Sequence, residues 1–189
     1  MSSMIIGERE YIPRRQPLLI AGPCALEDAG AALRIARACR QAADDNGFFY
    51  VFKGSYLKDN RSSLDSYRGP GIEEGLKILR KVGSETGAAV MTDVHCREEI
   101  KTVAEVCDII QIPAFLCRQT RLIVAASGTG KVLNLKKGQF LSPEEMGLAV
   151  EKAAESGAGG VMVTERGTSF GYHNLVVDMT SFPRMRDLG

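Results

Sequence analysis

Six times along this 189-residue chain, a short run of β-branched and apolar residues is followed by a longer amphipathic segment. Such alternation is the pattern of βα units on a parallel sheet, since each helix must cover a strand with its apolar face. Strands are expected at Leu18–Cys24, Tyr50–Ser55, Ala89–His95, Asp108–Pro113, Lys131–Lys136 and Gly160–Arg166. Helices are expected at Ala29–Asp44, Ile72–Thr86, Arg97–Val106, Arg118–Ser127, Pro143–Ser156 and Asn174–Met185. Ser142-Pro143-Glu144-Glu145 is a helix start, with Ser as N-cap, Pro at the first helical position and two carboxylates in the first turn. Gly47, Gly87 and Gly157 each follow an amphipathic run and precede a strand, as cap glycines do. Residues 1–17 read as an N-terminal extension, a short strand or hairpin capping the floor, and 18–189 as one domain.

One connection breaks the rhythm. Residues 56–71 put some sixteen positions between a strand and its helix, where about two to six are usual, and long loops in compact domains are commonly functional. Lys58, Asn60, Arg61, Ser62, Ser63 and Arg68 supply ammonium, amide, guanidinium and hydroxyl donors there. Guanidinium can grip a phosphate bidentately while hydroxyls and backbone N–H groups fill its other lone pairs. The bland alternative is a solvated charged loop. A formal net charge of +1 provides no global field for nucleic acid or an acidic membrane, so any anion must be captured by local groups. Five cysteines without CxxC pairing, and no secretory leader, point to reduced thiols in the cytoplasm. No apolar run approaches the ~20 residues that span a bilayer.

In a (β/α)8 barrel, strand side chains alternate between the interior and the helices, and active sites sit at the carboxyl ends of the strands. Leu133 and Leu135 suit the helix side, which turns Asn134 and Lys136 inward. The same alternation turns inward Val51, Lys53 and Ser55; Met91, Asp93 and His95; Ile109 and Gln111; and Met162, Thr164 and Arg166. Lys53, Lys136 and Arg166 are then three cations at strand ends, suited to a phosphorylated or carboxylated ligand. Salt bridges to Asp93 or Glu165 are the structural alternative.

IAGPC (20–24), FKGSYLKDNRSS (52–63), SYRGPG (66–71), TDVH (92–95), IQIPAFLCRQT (110–120), NLKKGQF (134–140) and TERGTSFGYHNLVVDM (164–179) follow one another in order. Together they resemble the 3-deoxy-D-manno-octulosonate 8-phosphate synthases, α/β enzymes of the TIM (β/α)8-barrel class. The resemblance implies condensation of phosphoenolpyruvate with arabinose 5-phosphate, releasing phosphate, in lipopolysaccharide biosynthesis. Related 3-deoxy-arabino-heptulosonate 7-phosphate synthases use erythrose 4-phosphate and typically read K-P-R-T-S, where this chain has K-x-N-R-S-S at 58–63. By motif, Lys53, Lys58, Gln111, Lys136 and Arg166 would hold phosphoenolpyruvate, with Ser55 beside them. Asn60, Arg61 and Ser62 would hold arabinose 5-phosphate. Lys58 and Asn60 stand closest to the chemistry in this carry-over. Arg118 matches an arginine that reaches an adjacent subunit, implying a homotetramer. Cys24 matches the thiolate ligand of the metal-dependent class, which takes a divalent ion such as Zn, Fe or Mn. His95 is given no catalytic role, and His173 stands where relatives often have Asn or Asp.

The resemblance also implies about two further βα units, reaching the ~250 residues usual for this barrel. Those units would carry a histidine, a glutamate and an aspartate metal ligand, so about six units and a lone thiolate are expected here, with the first and sixth strands left as edges. Either the sequence is part of a full synthase whose activity belongs to the whole, or it is an inactive barrel fragment that at most binds phosphate compounds. An intact mass near 20.5 kDa for the isolated protein would exclude the first.

Overall fold

A computed structural model of the chain describes residues 3–188. The elements are β1 Met4–Ile6, β2 Arg9–Tyr11, β3 Leu18–Ala21, α1 Ala29–Asp45, β4 Phe49–Lys53, α2 Ile72–Thr86, β5 Ala89–Asp93 and α3 Arg97–Ala104, and then β6 Ile109–Ile112, a 3-10 turn at Ala114–Leu116 and α4 Thr120–Ser127. The chain continues with β7 Val132–Lys136, α5 Glu145–Glu155, β8 Gly160–Thr164, β9 Thr168–Ser169, β10 Leu175–Val176 and α6 Ser181–Arg186. Each of the six strands read from the sequence is present, and together they make a parallel α/β fold in chain order. The chain divides into two compact units, residues 3–93 with 101–109, and 94–100 with 110–188.

In the first unit β3, β4 and β5 lie side by side, with Ile20 opposite Val51 and Phe52 opposite Val90. Ala32, Leu33, Ala36 and Ala43 of α1 are buried where that helix packs on β4, and Leu76, Ile78, Leu79 and Val82 of α2 are buried where it packs on α1 and β5. Helical spacing puts each set on one stripe, and burial of such a stripe is what holds helices of this length. Asp28 starts α1 by accepting the Ala31 N–H at 2.9 Å. β1 and β2 form the expected hairpin; Tyr11 packs edge-on to Phe49 at 5.4 Å and the Arg9 guanidinium lies 4.4 Å from the same ring. Phe49 begins β4, so the hairpin covers the amino end of the strand, opposite to Lys53.

In the second unit β6, β7 and β8 are neighbours, with Leu133 opposite Val161 and Lys136 opposite Thr164. Leu122, Ile123 and Ala126 of α4 and Met146, Ala149 and Ala153 of α5 are buried on the side of Leu133 and Leu135. The start of α5 is a capping box: Ser142 N–H donates to Glu145 Oε2 at 2.8 Å, and Glu145 N–H donates to Ser142 Oγ at 3.3 Å. The helix itself begins at Glu145 with Glu144 at its N-cap, so the expected start at Pro143 is a turn that leads into it, joined to the helix by the Ser142 hydrogen bonds. Gly47, Gly87 and Gly157 adopt φ of 71°, 64° and 95°, the left-handed turn required after a helix.

Three other expectations need correcting. Five of the strands stop short of their expected carboxyl ends, at Ala21, Lys53, Asp93, Ile112 and Thr164, because the chain leaves the ladder there to form the connecting loops. The fourth helix begins at Thr120, after the 3-10 turn, so Arg118 lies outside it. Asn174–Met185 is not one helix: Leu175-Val176 is strand β10, paired with β9, and only Ser181–Arg186 is helical. The turn between β9 and β10 uses Gly171 at φ 69° and His173 at φ 61°. Among non-glycine residues Asn, Asp and His visit that left-handed region most readily, which suits His173 to this turn. Among the described residues β3 pairs with β4 alone and β8 with β7 alone, and both are half-buried throughout, as expected of edges. No described helix is long and apolar enough to cross a membrane.

Candidate functional site

The carboxyl end of β4 carries a compact polar cluster. Lys53 Nζ is 2.6 Å from Ser55 Oγ and 3.3 Å from Asp93 Oδ1, Ser55 Oγ donates to the same Oδ1, and Lys58 Nζ lies 3.9 Å from Asp93 Oδ2. Alternation therefore correctly grouped Lys53, Ser55 and Asp93 on one face, and the salt-bridge alternative holds for Lys53. The lysine and aspartate side chains are 17%, 15% and 8% exposed, so two ammonium groups share one carboxylate in a mostly buried setting. Ammonium groups at a strand end suit a carboxylate or phosphate as a further partner.

Gly22 makes this closeness possible. β3 leaves the ladder at Gly22-Pro23-Cys24 and returns to bridge Ala25 with Ser55, while Leu26 N–H donates to Ser55 O at 2.9 Å. A Cβ on Gly22 would lie 2.1 Å from Lys53 O. Cys24 sits exposed on this detour.

The loop at 56–71 is pinned at its stem and open at its tip. Lys58 N–H donates to Arg68 O at 2.6 Å, Gly71 N–H to Tyr56 O at 3.1 Å, and the Tyr67 hydroxyl to Leu26 O at 2.8 Å. Gly69, at φ 116°, lies so close that a Cβ would be 2.3 Å from Tyr56 O. Asn60, Arg61 and Ser62 are exposed at the tip, and no hydrogen bond among the described residues joins them to the Lys53 cluster. Tyr67, which closes the stem, was not singled out from sequence, where an aromatic in a basic loop has no distinguishing pattern.

The second unit presents another row. Thr164 Oγ1 donates to Asn134 Oδ1 at 2.7 Å, and Asn134 Nδ2 donates to Gln111 Oε1 at 3.2 Å. The three inward positions of β8, β7 and β6 are thus joined, and with its oxygen engaged Gln111 retains its amide NH2 as a donor. Lys136 and Arg166 are half-buried, whereas Arg118 is exposed beyond the 3-10 turn.

Lys137, which sequence reasoning passed over, is 1% exposed. Its ammonium lies 3.1 Å from Leu141 O, 3.1 Å from Thr168 Oγ1 and 3.7 Å from Glu165 Oε1. Glu165 accepts from Gly167 N–H at 2.6 Å and Ser181 Oγ at 2.7 Å. Burial pushes the Glu165 carboxyl up, but the Ser181 and Gly167 hydrogen bonds and the Lys137 charge outweigh it, so the group is held below the usual carboxylate range. A cavity of about 690 Å³ adjoins this network, walled largely by Phe140, Leu141, Pro143, Phe170 and Val176.

His95 belongs to helix capping. Glu99 Oε2 accepts from the backbone of His95 at 2.8 Å and lies 3.7 Å from His95 Nδ1. Cys24 and Cys96 are exposed, Cys39 is half-buried, and Cys107 and Cys117 are buried. Among the described residues no three His, Cys, Asp or Glu side chains gather as a metal site, and the exposed Cys24 by itself does not meet the three or more protein ligands a specific site requires.

The sequence pattern of the DAHP synthetase I family matches residues 6–189. A protein of Nitratidesulfovibrio vulgaris (strain DP4) is 54% identical over 171 residues, 90% of this chain and 63% of the relative. Relatives from Pelobacter propionicus and Trichlorobacter lovleyi are 50% and 53% identical over 98% and 97% of this chain, and 68% of their own length in each case. All three are named 2-dehydro-3-deoxyphosphooctonate aldolase, a synonym of the synthase that the motifs resemble. The chain spans about 63% of the length of the first of these relatives. With parallel βα units, basic strand ends and a pattern match across nearly its whole length, the chain belongs to the DAHP synthetase I family.

Proposed function

We propose that this chain is the substrate-gripping portion of a 3-deoxy-D-manno-octulosonate 8-phosphate synthase, and that its six βα units are the first six of a (β/α)8 barrel. The observation that carries the reading is the loop at 56–71, where Asn60, Arg61 and Ser62 stand open on a pinned stem just beyond the Lys53, Lys58 and Asp93 cluster. In this reading Lys53, Lys58 and Ser55, with Gln111, Lys136 and Arg166, take the carboxylate and phosphate of phosphoenolpyruvate. Asn60 takes the sugar hydroxyls of arabinose 5-phosphate, and Arg61 and Ser62 its phosphate. C3 of phosphoenolpyruvate attacks the sugar aldehyde, water adds at C2, and the hemiketal phosphate expels inorganic phosphate. Positioning of two anions and electrostatic stabilisation of the developing charge supply most of the acceleration. Exposed Arg118 serves the phosphate site of a neighbouring copy in a homotetramer, and the reaction belongs to lipopolysaccharide biosynthesis in the cytoplasm. No step is assigned to a metal ion, because the donors described here do not form a site for one.

Phosphate release from phosphoenolpyruvate with arabinose 5-phosphate, set beside erythrose 4-phosphate, tests the reading. Turnover with the pentose phosphate is expected; preference for the tetrose phosphate would transfer the chain to the heptulosonate branch. Binding of both phosphates with no phosphate release would instead support a second reading, a scaffold without turnover. Arg61→Ala should raise the KM for arabinose 5-phosphate roughly 10- to 100-fold, as expected for a charged hydrogen bond, with that for phosphoenolpyruvate changed by less than about twofold. Equal effects on the two substrates would remove Arg61 from the pentose site.

A further inference from the structure

We propose that Lys137 and Glu165 are positioning residues that set the spacing of Lys136 and Arg166 for anion recognition. The proposal rests on the functional reading above. Lys136 and Lys137 are consecutive at the end of β7, and Glu165 and Arg166 follow β8 directly. Strand alternation puts Lys136 on the Asn134 face and Lys137 on the other. Lys136 pairs with Thr164 in the ladder, and Lys137 N–H donates to Thr164 O at 2.9 Å, carrying the ladder one step beyond the strand. Beyond that point the next backbone hydrogen bond between the two segments runs from Ser169 N–H to Gln139 O at 3.0 Å. The ion pair adds a side-chain tie over this stretch, next to Lys136 and Arg166, with both side chains at most 2% exposed.

Each end of the pair is tied to further segments. Lys137 reaches the carbonyls of Gly138 at 3.3 Å and Gly167 at 3.5 Å, and Glu165 reaches Ser181 at the start of α6. Well-packed apolar residues would give similar stability in such a place, while a charged pair with directional partners accepts few geometries. The geometry it enforces is that of the residues one position away, Lys136 and Arg166.

Glu165→Gln retains the size of the side chain and an oxygen for the Gly167 N–H, and removes the charge. Affinities for phosphoenolpyruvate and for arabinose 5-phosphate are measured by calorimetry on the chain, at a temperature where circular dichroism shows it folded. Affinity for phosphoenolpyruvate should fall about tenfold or more, and affinity for arabinose 5-phosphate should change by less than about twofold. Glu144→Gln, which removes the exposed pair with Arg184, should alter neither. If Glu165→Gln does not fold, the double substitution Lys137→Met with Glu165→Met tests the same point with an apolar pair. Unchanged phosphoenolpyruvate affinity in a folded variant overturns the inference alone. So does equal weakening of both ligands, or failure of both variants to fold, since either makes the pair purely structural. A wild-type chain that binds no phosphoenolpyruvate overturns the functional reading and this inference together.

Discussion

Asp93→Ala is expected to destabilise the chain by about 3–5 kcal/mol, the cost of removing one partner from a buried ion pair. Asp93 Oδ1 meets Lys53 and Ser55, and its Oδ2 faces Lys58, with all three charged side chains less than a fifth exposed. Truncation leaves two ammonium groups close together without the carboxylate they share. Urea denaturation of wild type and variant checks the loss. A second signature separates this explanation from a simple packing defect. Millimolar phosphate should stabilise Asp93→Ala more than wild type, because an anion bound to the native state substitutes for the missing charge. A variant as stable as wild type, or one indifferent to phosphate, would refute the account of the cluster as an anion site balanced by Asp93.

Gly22→Ala should lower the melting temperature by about 10 °C, from a cost near 3 kcal/mol and about 2–4 °C for each kcal/mol in a chain of this size. The new Cβ would meet three backbone atoms of Lys53, at 2.1 Å from O, 3.0 Å from C and 3.2 Å from N. Backbone cannot rotate away as a side chain can, and β3 and β4 are paired through Ala21 and Phe52 immediately before this point. Relief therefore requires the end of β4 to move, displacing Lys53 and weakening phosphoenolpyruvate binding as well. Gly128→Ala is the control: Gly128 has φ −61°, and its added Cβ would lie in ordinary contact with Val124 O at 3.4 Å. That substitution should change stability by less than about 1 kcal/mol. Equal melting temperatures for Gly22→Ala and wild type, measured by calorimetry, would count against the close approach.

Much of the candidate site was legible because it follows strand periodicity. Lys53, Ser55 and Asp93 were placed on one face by a two-residue repeat, and so were Gln111, Asn134 and Thr164; the hydrogen bonds in each unit join these groups. The loop at 56–71 stood out by length and by its donors. Its stem was not legible, since Tyr67 bonds a carbonyl on the detour after β3, a partner far away in sequence. The error at Asn174–Met185 has a local cause: Leu175-Val176-Val177 favours extended backbone, and the turn at Gly171 and His173 folds it back onto β9.

The sequence by itself determined the six strands, the five helices between them, their order and the polar carboxyl ends, because apolar periodicity and turn residues act over a few neighbouring positions. Tertiary structure alone decided how adjacent charges divide their tasks. Lys136 and Lys137 are identical residues side by side, as alike in sequence as two positions can be. Strand alternation sends them to opposite faces, and only one of those faces holds Glu165, Ser181 and Thr168 close enough to bury an ammonium group. Burial of a charge depends on partners brought together by the fold, and no local pattern encodes it.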